Sequence, residues 1–156
     1  MRSWTTTSPE TTRELGRKLG RELAARATVL LVGDLGSGKT VFARGVAEAL
    51  GICADEVQSP TFTLIREHTG ERGQLTHVDL YRLASDDVLS LGLEELLMAT
   101  TVTVIEWADR LPFEIPADLA LEMRRTGSRG ERLIREIDSQ AAISWGKTTT
   151  GSDGDR

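Results

Sequence analysis

The run GDLGSGKT at residues 33–40 follows the apolar segment TVLLV at 28–32. Its spacing, Gly33-x4-Gly38-Lys39-Thr40, is the phosphate-loop pattern, in which glycines let the backbone curl until several N–H groups point at one anion. Gly33, Asp34, Leu35, Gly36, Ser37 and Gly38 supply that nest, and a helix opening at Lys39 and running through Val41 adds the positive end of its dipole. Lys39 has the reach and charge for the β- and γ-phosphates of a nucleotide. The Thr40 hydroxyl is a hard ligand suited to magnesium. A bare Gly-rich turn is the competing explanation, but a strand before the loop and a helix after it are what phosphate binding requires. The second GKT, at 146–148, has Ala141 where the first glycine belongs and no strand before it.

Hydrolysis needs acids near the cation and the attacking water, at the C-terminal ends of neighbouring strands. Glu106 closes the apolar TVTVI stretch and Asp79 closes QLTHV. Either alone reads equally well as a strand-end cap; together beside a phosphate loop they make a magnesium and water site. Spacing leaves open which acid meets the metal. Thr61, in SPTFTL, reads as a turn residue after Pro60 or as a switch hydroxyl that senses the γ-phosphate. His77 lies inside a strand pattern and reads as a core side chain, and His68 lies at a turn with no evident chemistry.

These residues need a frame. Residues 3–7 read as a short strand, and a helix starts at Ser8-Pro9, with Ser8 as cap and Leu15, Leu19 and Leu23 as its inward stripe. A strand at 28–32 leads into the loop, and the next helix carries Phe42, Val46 and Leu50 inward to a stop at Gly51. Strands follow at 62–67 and 74–79, then a helical stretch at 86–98 broken at Gly92. The most strand-like segment, 101–107, comes next, and a last strand pair at 119–123 and 132–137. The order predicts an α/β protein: a compact P-loop fold with a mixed, mainly parallel central sheet flanked by helices. Residues 1–138 form the domain. From Ser139 onward the polar, Gly- and Thr-rich composition predicts a disordered tail, 139–156.

Composition narrows the function. The chain has 156 residues, enough for one core, with 39% hydrophobic and 28% charged content. No apolar run reaches the ~18 residues of a membrane helix, and the N-terminus lacks an apolar signal core, so a cytoplasmic protein with no membrane partner is expected. The lone Cys53 rules out an internal disulfide and reads as a small hydrophobe. With 24 acids against 19 bases, the net charge of −5 argues against a surface built to bind DNA or RNA directly. The Arg-rich segment 124–135 reads as a solvated hairpin.

GDLGSGKT, SPTFTL, HVDLYRL at 77–83 and IEW at 105–107, in this order and spacing, resemble the TsaE (YjeE) family, from about Ser8 to Ile137. The resemblance implies a magnesium-dependent ATPase (ATP and Mg2+ as ligands) needed for threonylcarbamoyladenosine in tRNA. It also implies work with the transfer proteins TsaD and TsaB, with tRNA met mainly through their complex. It places Thr40 and Glu106 at the magnesium, Asp79 in the same site and Thr61 in the nucleotide switch. Trp107 and Arg132 would lie near the nucleotide and Thr7 beside the adenine. The chain departs from the family pattern at Val41, where a second Thr is usual, at His68 in place of an aromatic, and in lacking a proline after Trp107. None of these removes a ligand.

A small-molecule kinase would need a second substrate pocket and an arginine-bearing lid, whereas 124–135 reads as a strand pair. A nucleotide-gated binding module with negligible turnover would not need paired acids. A GTPase would need an Asn-Lys-x-Asp guanine reader, which is absent.

Overall fold

The computed structural model describes residues 1–57, 65–83, 87–88, 92–99 and 101–147. Strand β1 (Ser3–Thr6) leads into α1 (Pro9–Glu22), β2 (Ala27–Gly33) and α2 (Lys39–Ala49). After a short 3-10 turn come the hairpin β3 (Ile65–Gly70) and β4 (Gly73–Asp79), α3 (Leu93–Met98) and β5 (Val102–Glu106). Strands β6 (Leu119–Arg125) and β7 (Arg132–Glu136) and a last helix, α4 (Ser139–Ile143), complete it. One sheet runs β1-β7-β6-β2-β5-β4-β3. Its centre, β6-β2-β5-β4, is parallel, and its outer pairs are antiparallel. The expected mixed, mainly parallel sheet is what forms.

Register decides where the acids lie. Leu31 of β2 pairs with Glu106 of β5, and Glu106 pairs with Asp79 of β4. Strands β4 and β5 therefore end at one level, and β2 beside them runs two residues further, to Gly33, before the loop begins. Partners at one register in a parallel pair project to the same face, so Asp79 and Glu106 share a face of the sheet, and so do His77 and its partner Val104.

That face is covered by α1 and α2. Ser8 caps α1 by accepting from the Thr11 N–H at 3.1 Å, and Pro9 occupies the first turn. Leu15 and Leu19 of α1 and Phe42 and Val46 of α2 pack with Val29, Leu31 and Val104 of the sheet. The helices touch backbone to backbone: a Cβ at Gly45 would sit 2.0 Å from the Arg13 carbonyl oxygen. That contact fixes the start of α1 beside the start of α2.

The opposite face buries Leu30, Val32, Val78, Ile105 and Leu111 under α4 and the segment after β5. Here the boundary expected at 138 needs correction. Asp138 caps α4 by accepting from the Ala141 N–H at 2.7 Å, Ala142 and Ile143 are buried, and the Trp145 Nε1–H donates to Glu122 at 2.9 Å. A few apolar residues with a capping acid suffice to dock a segment whose overall composition is polar. Residues 148–156 lie outside the described residues. Of the expected helix 86–98, residues 87–88 are helical and Leu93–Met98 is α3, while residues 86 and 89–91 lie outside the described residues. Among the described residues no helix is long and apolar enough to cross a membrane.

Candidate functional site

Strand β2 ends at Gly33, and α2 begins at Lys39 behind Gly38, whose φ of 103° lies in the left-handed region that a side chain disfavours. The five residues between hold the loop tight: the Ser37 N–H donates to the Asp34 carbonyl at 3.1 Å, and Ser37 is fully buried. Lys39 is only 5% exposed. Its ammonium donates to the carbonyls of Gly33 at 2.7 Å and Asp34 at 2.9 Å and to Ser37 Oγ at 3.2 Å, closing the loop on itself. Burial lowers the Lys39 pKa, and Glu106, Asp109, Asp79 and Asp34 pull it back toward the charged form. A buried cation surrounded by acids at a distance is one that an incoming polyanion can recruit.

Thr40, the next residue, points the other way. Its hydroxyl donates to both oxygens of Glu106, at 2.9 and 3.1 Å. Glu106 is 2% exposed and also meets His77 through an Nε2···Oε2 hydrogen bond. Asp79 borders the same cavity, its Oδ1 accepting from the Tyr81 N–H at 2.9 Å in a turn that carries the chain off the tip of β4. Thr40, Glu106 and Asp79 thus supply hard oxygens at one mouth. Among the described residues no cluster of His, Cys, Asp and Glu forms a complete metal cage. Such a donor set suits magnesium, which keeps waters and substrate phosphate oxygens in its shell and takes few protein ligands.

Trp107 follows Glu106 with φ 58°, the one non-glycine residue in the left-handed region among those described. This turn lays its ring across the mouth, with the Lys39 ammonium 4.2 Å from the ring centre and the Tyr81 ring 4.7 Å away. The cavity measures about 430 Å3. Leu35, Gly36, Ser37, Gly38, Lys39, Thr40 and Val41 line its floor, and Trp107, Tyr81 and Arg82 one wall. Gly130 and Arg132 of the β6–β7 hairpin and Ser8, Pro9 and Thr12 of α1 line the other. The Arg132 guanidinium donates to the Gly36 carbonyl at 3.1 Å, pinning the hairpin to the loop.

The structure therefore brings Gly33 through Val41, Asp79, Glu106, Trp107 and Arg132 to one place. Thr7 is exposed and does not line the cavity; its neighbours Ser8, Pro9 and Thr12 do. Thr61 lies outside the described residues. Sequence reasoning missed Ser8, Pro9 and Thr12 as wall residues, and read His77 only as core. The alternation of HVD at the tip of β4, which puts His77 on the side of Asp79, was the available signal.

A strand, a glycine nest with its lysine, a helix and acids on neighbouring strand tips define a P-loop α/β protein. A family model described as "Threonylcarbamoyl adenosine biosynthesis protein TsaE" matches residues 6–134. The chain belongs to the TsaE family. The tRNA threonylcarbamoyladenosine biosynthesis protein TsaE of a Nostoc species is 41% identical over 139 residues, covering 86% of this chain and 85% of the relative. The protein of the same description from Bacillus subtilis is 40% identical over 126 residues, 80% of this chain and 78% of the relative. The crystal structure of Bacillus subtilis YdiB aligns with a TM-score of 0.69 at 30% identity, covering 99% of this chain and 96% of that one.

Proposed function

We propose that this protein is a magnesium-dependent ATPase of tRNA threonylcarbamoyladenosine synthesis, whose turnover resets or activates the TsaD–TsaB threonylcarbamoyl-transfer complex. The observation that carries the reading is the Thr40–Glu106 contact beside Lys39, with Asp79 on the adjacent strand tip. A hydroxyl at the start of a phosphate-loop helix, turned onto a buried carboxylate, marks the place where a cation would join both to a triphosphate.

In this reading the backbone N–H groups of the loop receive the β-phosphate, and Lys39 exchanges the Gly33 and Asp34 carbonyls for phosphate oxygens. Thr40 and Glu106 hold the cation, and Asp79 orients water toward the γ-phosphorus. Bound magnesium would supply charge neutralisation on the β- and γ-phosphate oxygens as the bond to the departing ADP breaks. Trp107 and Tyr81 shield the mouth from bulk water, and Arg132 keeps the hairpin closed over the loop. Partners reach the nucleotide only across the rim, and the tRNA is met through them. A cytoplasmic location follows from that role.

The test is ATP turnover by the purified chain with magnesium, alone and with TsaD and TsaB. Release of phosphate that rises on adding the partners supports the reading. Phosphate transferred to a small acceptor from a metabolite panel makes the protein a kinase, and tight binding with no turnover in any mixture makes it a nucleotide-gated binding module.

A further inference from the structure

His77 lies on β4, fully buried, two residues before Asp79. Its Nε2 hydrogen-bonds Oε2 of Glu106 across the β4–β5 pair, and its Nδ1 has no hydrogen-bond partner among the described residues. Those facts select a tautomer. A carboxylate only accepts, so the ring atom facing it must donate, and the proton belongs on Nε2. The alternative tautomer would face a lone pair with a carboxylate and leave a buried N–H on Nδ1 unsatisfied; both are unfavourable.

Glu106 is thus held at two points. Thr40 approaches from the start of α2 and His77 from deeper in the sheet. Thr40 must loosen from Glu106 if its hydroxyl is to share a cation with it, whereas His77 is fixed by the strand and stays. We propose that His77 is a positioning residue for the site: its Nε2–H anchors one carboxylate oxygen of Glu106 and leaves the other aimed at the cation. Its role is that of the outer partner that orients a metal ligand. The proposal rests on the reading of Glu106 as the cation-holding acid of an ATPase.

The experiment compares His77→Leu, which removes the donor, with His77→Gln, whose side-chain amide places an N–H near the same point. In magnesium and ATP, with the partners that give wild-type turnover, His77→Leu lowers kcat and raises the magnesium requirement by about 10–100-fold, with magnesium-free ATP affinity within about threefold of wild type. His77→Gln restores most of the loss. A long-range 1H–15N spectrum of the wild-type chain without nucleotide or metal shows a proton on His77 Nε2. Equal loss in the Leu and Gln variants, no loss in the Leu variant, or an Nε2 without a proton each overturns the proposal. If the wild type turns over no ATP under any condition, the ATPase reading falls, and the ring spectrum with the magnesium dependence of nucleotide binding still decides whether His77 anchors Glu106.

Discussion

Glu106 and Glu122 make an instructive pair. Both are buried glutamates on strands that flank β2, one residue apart in level: Leu31 pairs with Glu106 and Val32 with Glu122. Their partners differ. Glu122 accepts from the guanidinium groups of Arg124 at 2.9 Å and Arg135 at 3.1 Å and from the Trp145 indole at 2.9 Å. Burial pushes its pKa up, but the Arg124 and Trp145 bonds outweigh that and hold it below the usual range. Glu106 has a hydroxyl and an imidazole, and Lys39, whose charged form it favours, is occupied with loop carbonyls. A buried carboxylate saturated by two arginines has no remaining demand and acts as a fastener for the hairpin and α4. One that meets a hydroxyl and an imidazole at the mouth of an anion nest, with no guanidinium on it, is the one placed to take up a cation in the proposed reading. The same residue type, buried on both sides of β2, is structural on one side and, in the proposed function, chemical on the other.

The contrast can be broken by making the same change at both positions. Glu106→Gln has the largest expected effect, lowering ATP turnover by about 10²–10³-fold while nucleotide stays bound, as seen by comparing phosphate release with equilibrium binding. Lys39→Ala comes next and acts on binding, weakening ATP affinity by about 10–100-fold in a calorimetric titration, the loss of charged hydrogen bonds to phosphate. Glu122→Gln leaves turnover near wild type and lowers unfolding free energy by about 1–3 kcal/mol in a urea titration. Because the folded Glu122 carboxyl titrates below its unfolded value, its stabilisation is present above that unfolded value and is lost as pH falls through the folded one. The stability gap between wild type and Glu122→Gln therefore closes on acidification. Trp145→Phe is the smallest, costing about 1 kcal/mol for one lost hydrogen bond and changing no kinetic constant.

What the sequence made legible follows from which signals are contiguous. The loop from Gly33 to Thr40 is a single run whose spacing carries its own geometry. Asp79 and Glu106 were legible because parallel strands deliver their C-terminal residues to one edge, so a strand-end acid after an apolar run is placed by topology alone. The walls were not. Ser8, Pro9 and Thr12 reach the cavity only because Gly16 and Gly45 let α1 press against α2, and no local pattern states that approach. The His77–Glu106 contact depends on a register between strands with α3 between them in sequence. The end of the domain was misplaced at 138 because a Thr- and Gly-rich composition outweighed the few residues that dock, Ala142, Ile143 and Trp145, and because their polar partner, Glu122, sits on a distant strand.

The most direct test is phosphate release from ATP and magnesium by wild type, Glu106→Gln and Glu122→Gln side by side, with the partner proteins present and nucleotide binding measured on the same samples. The account predicts that Glu106→Gln binds ATP and fails to release phosphate, while Glu122→Gln matches wild type. Turnover in Glu106→Gln equal to wild type would contradict it.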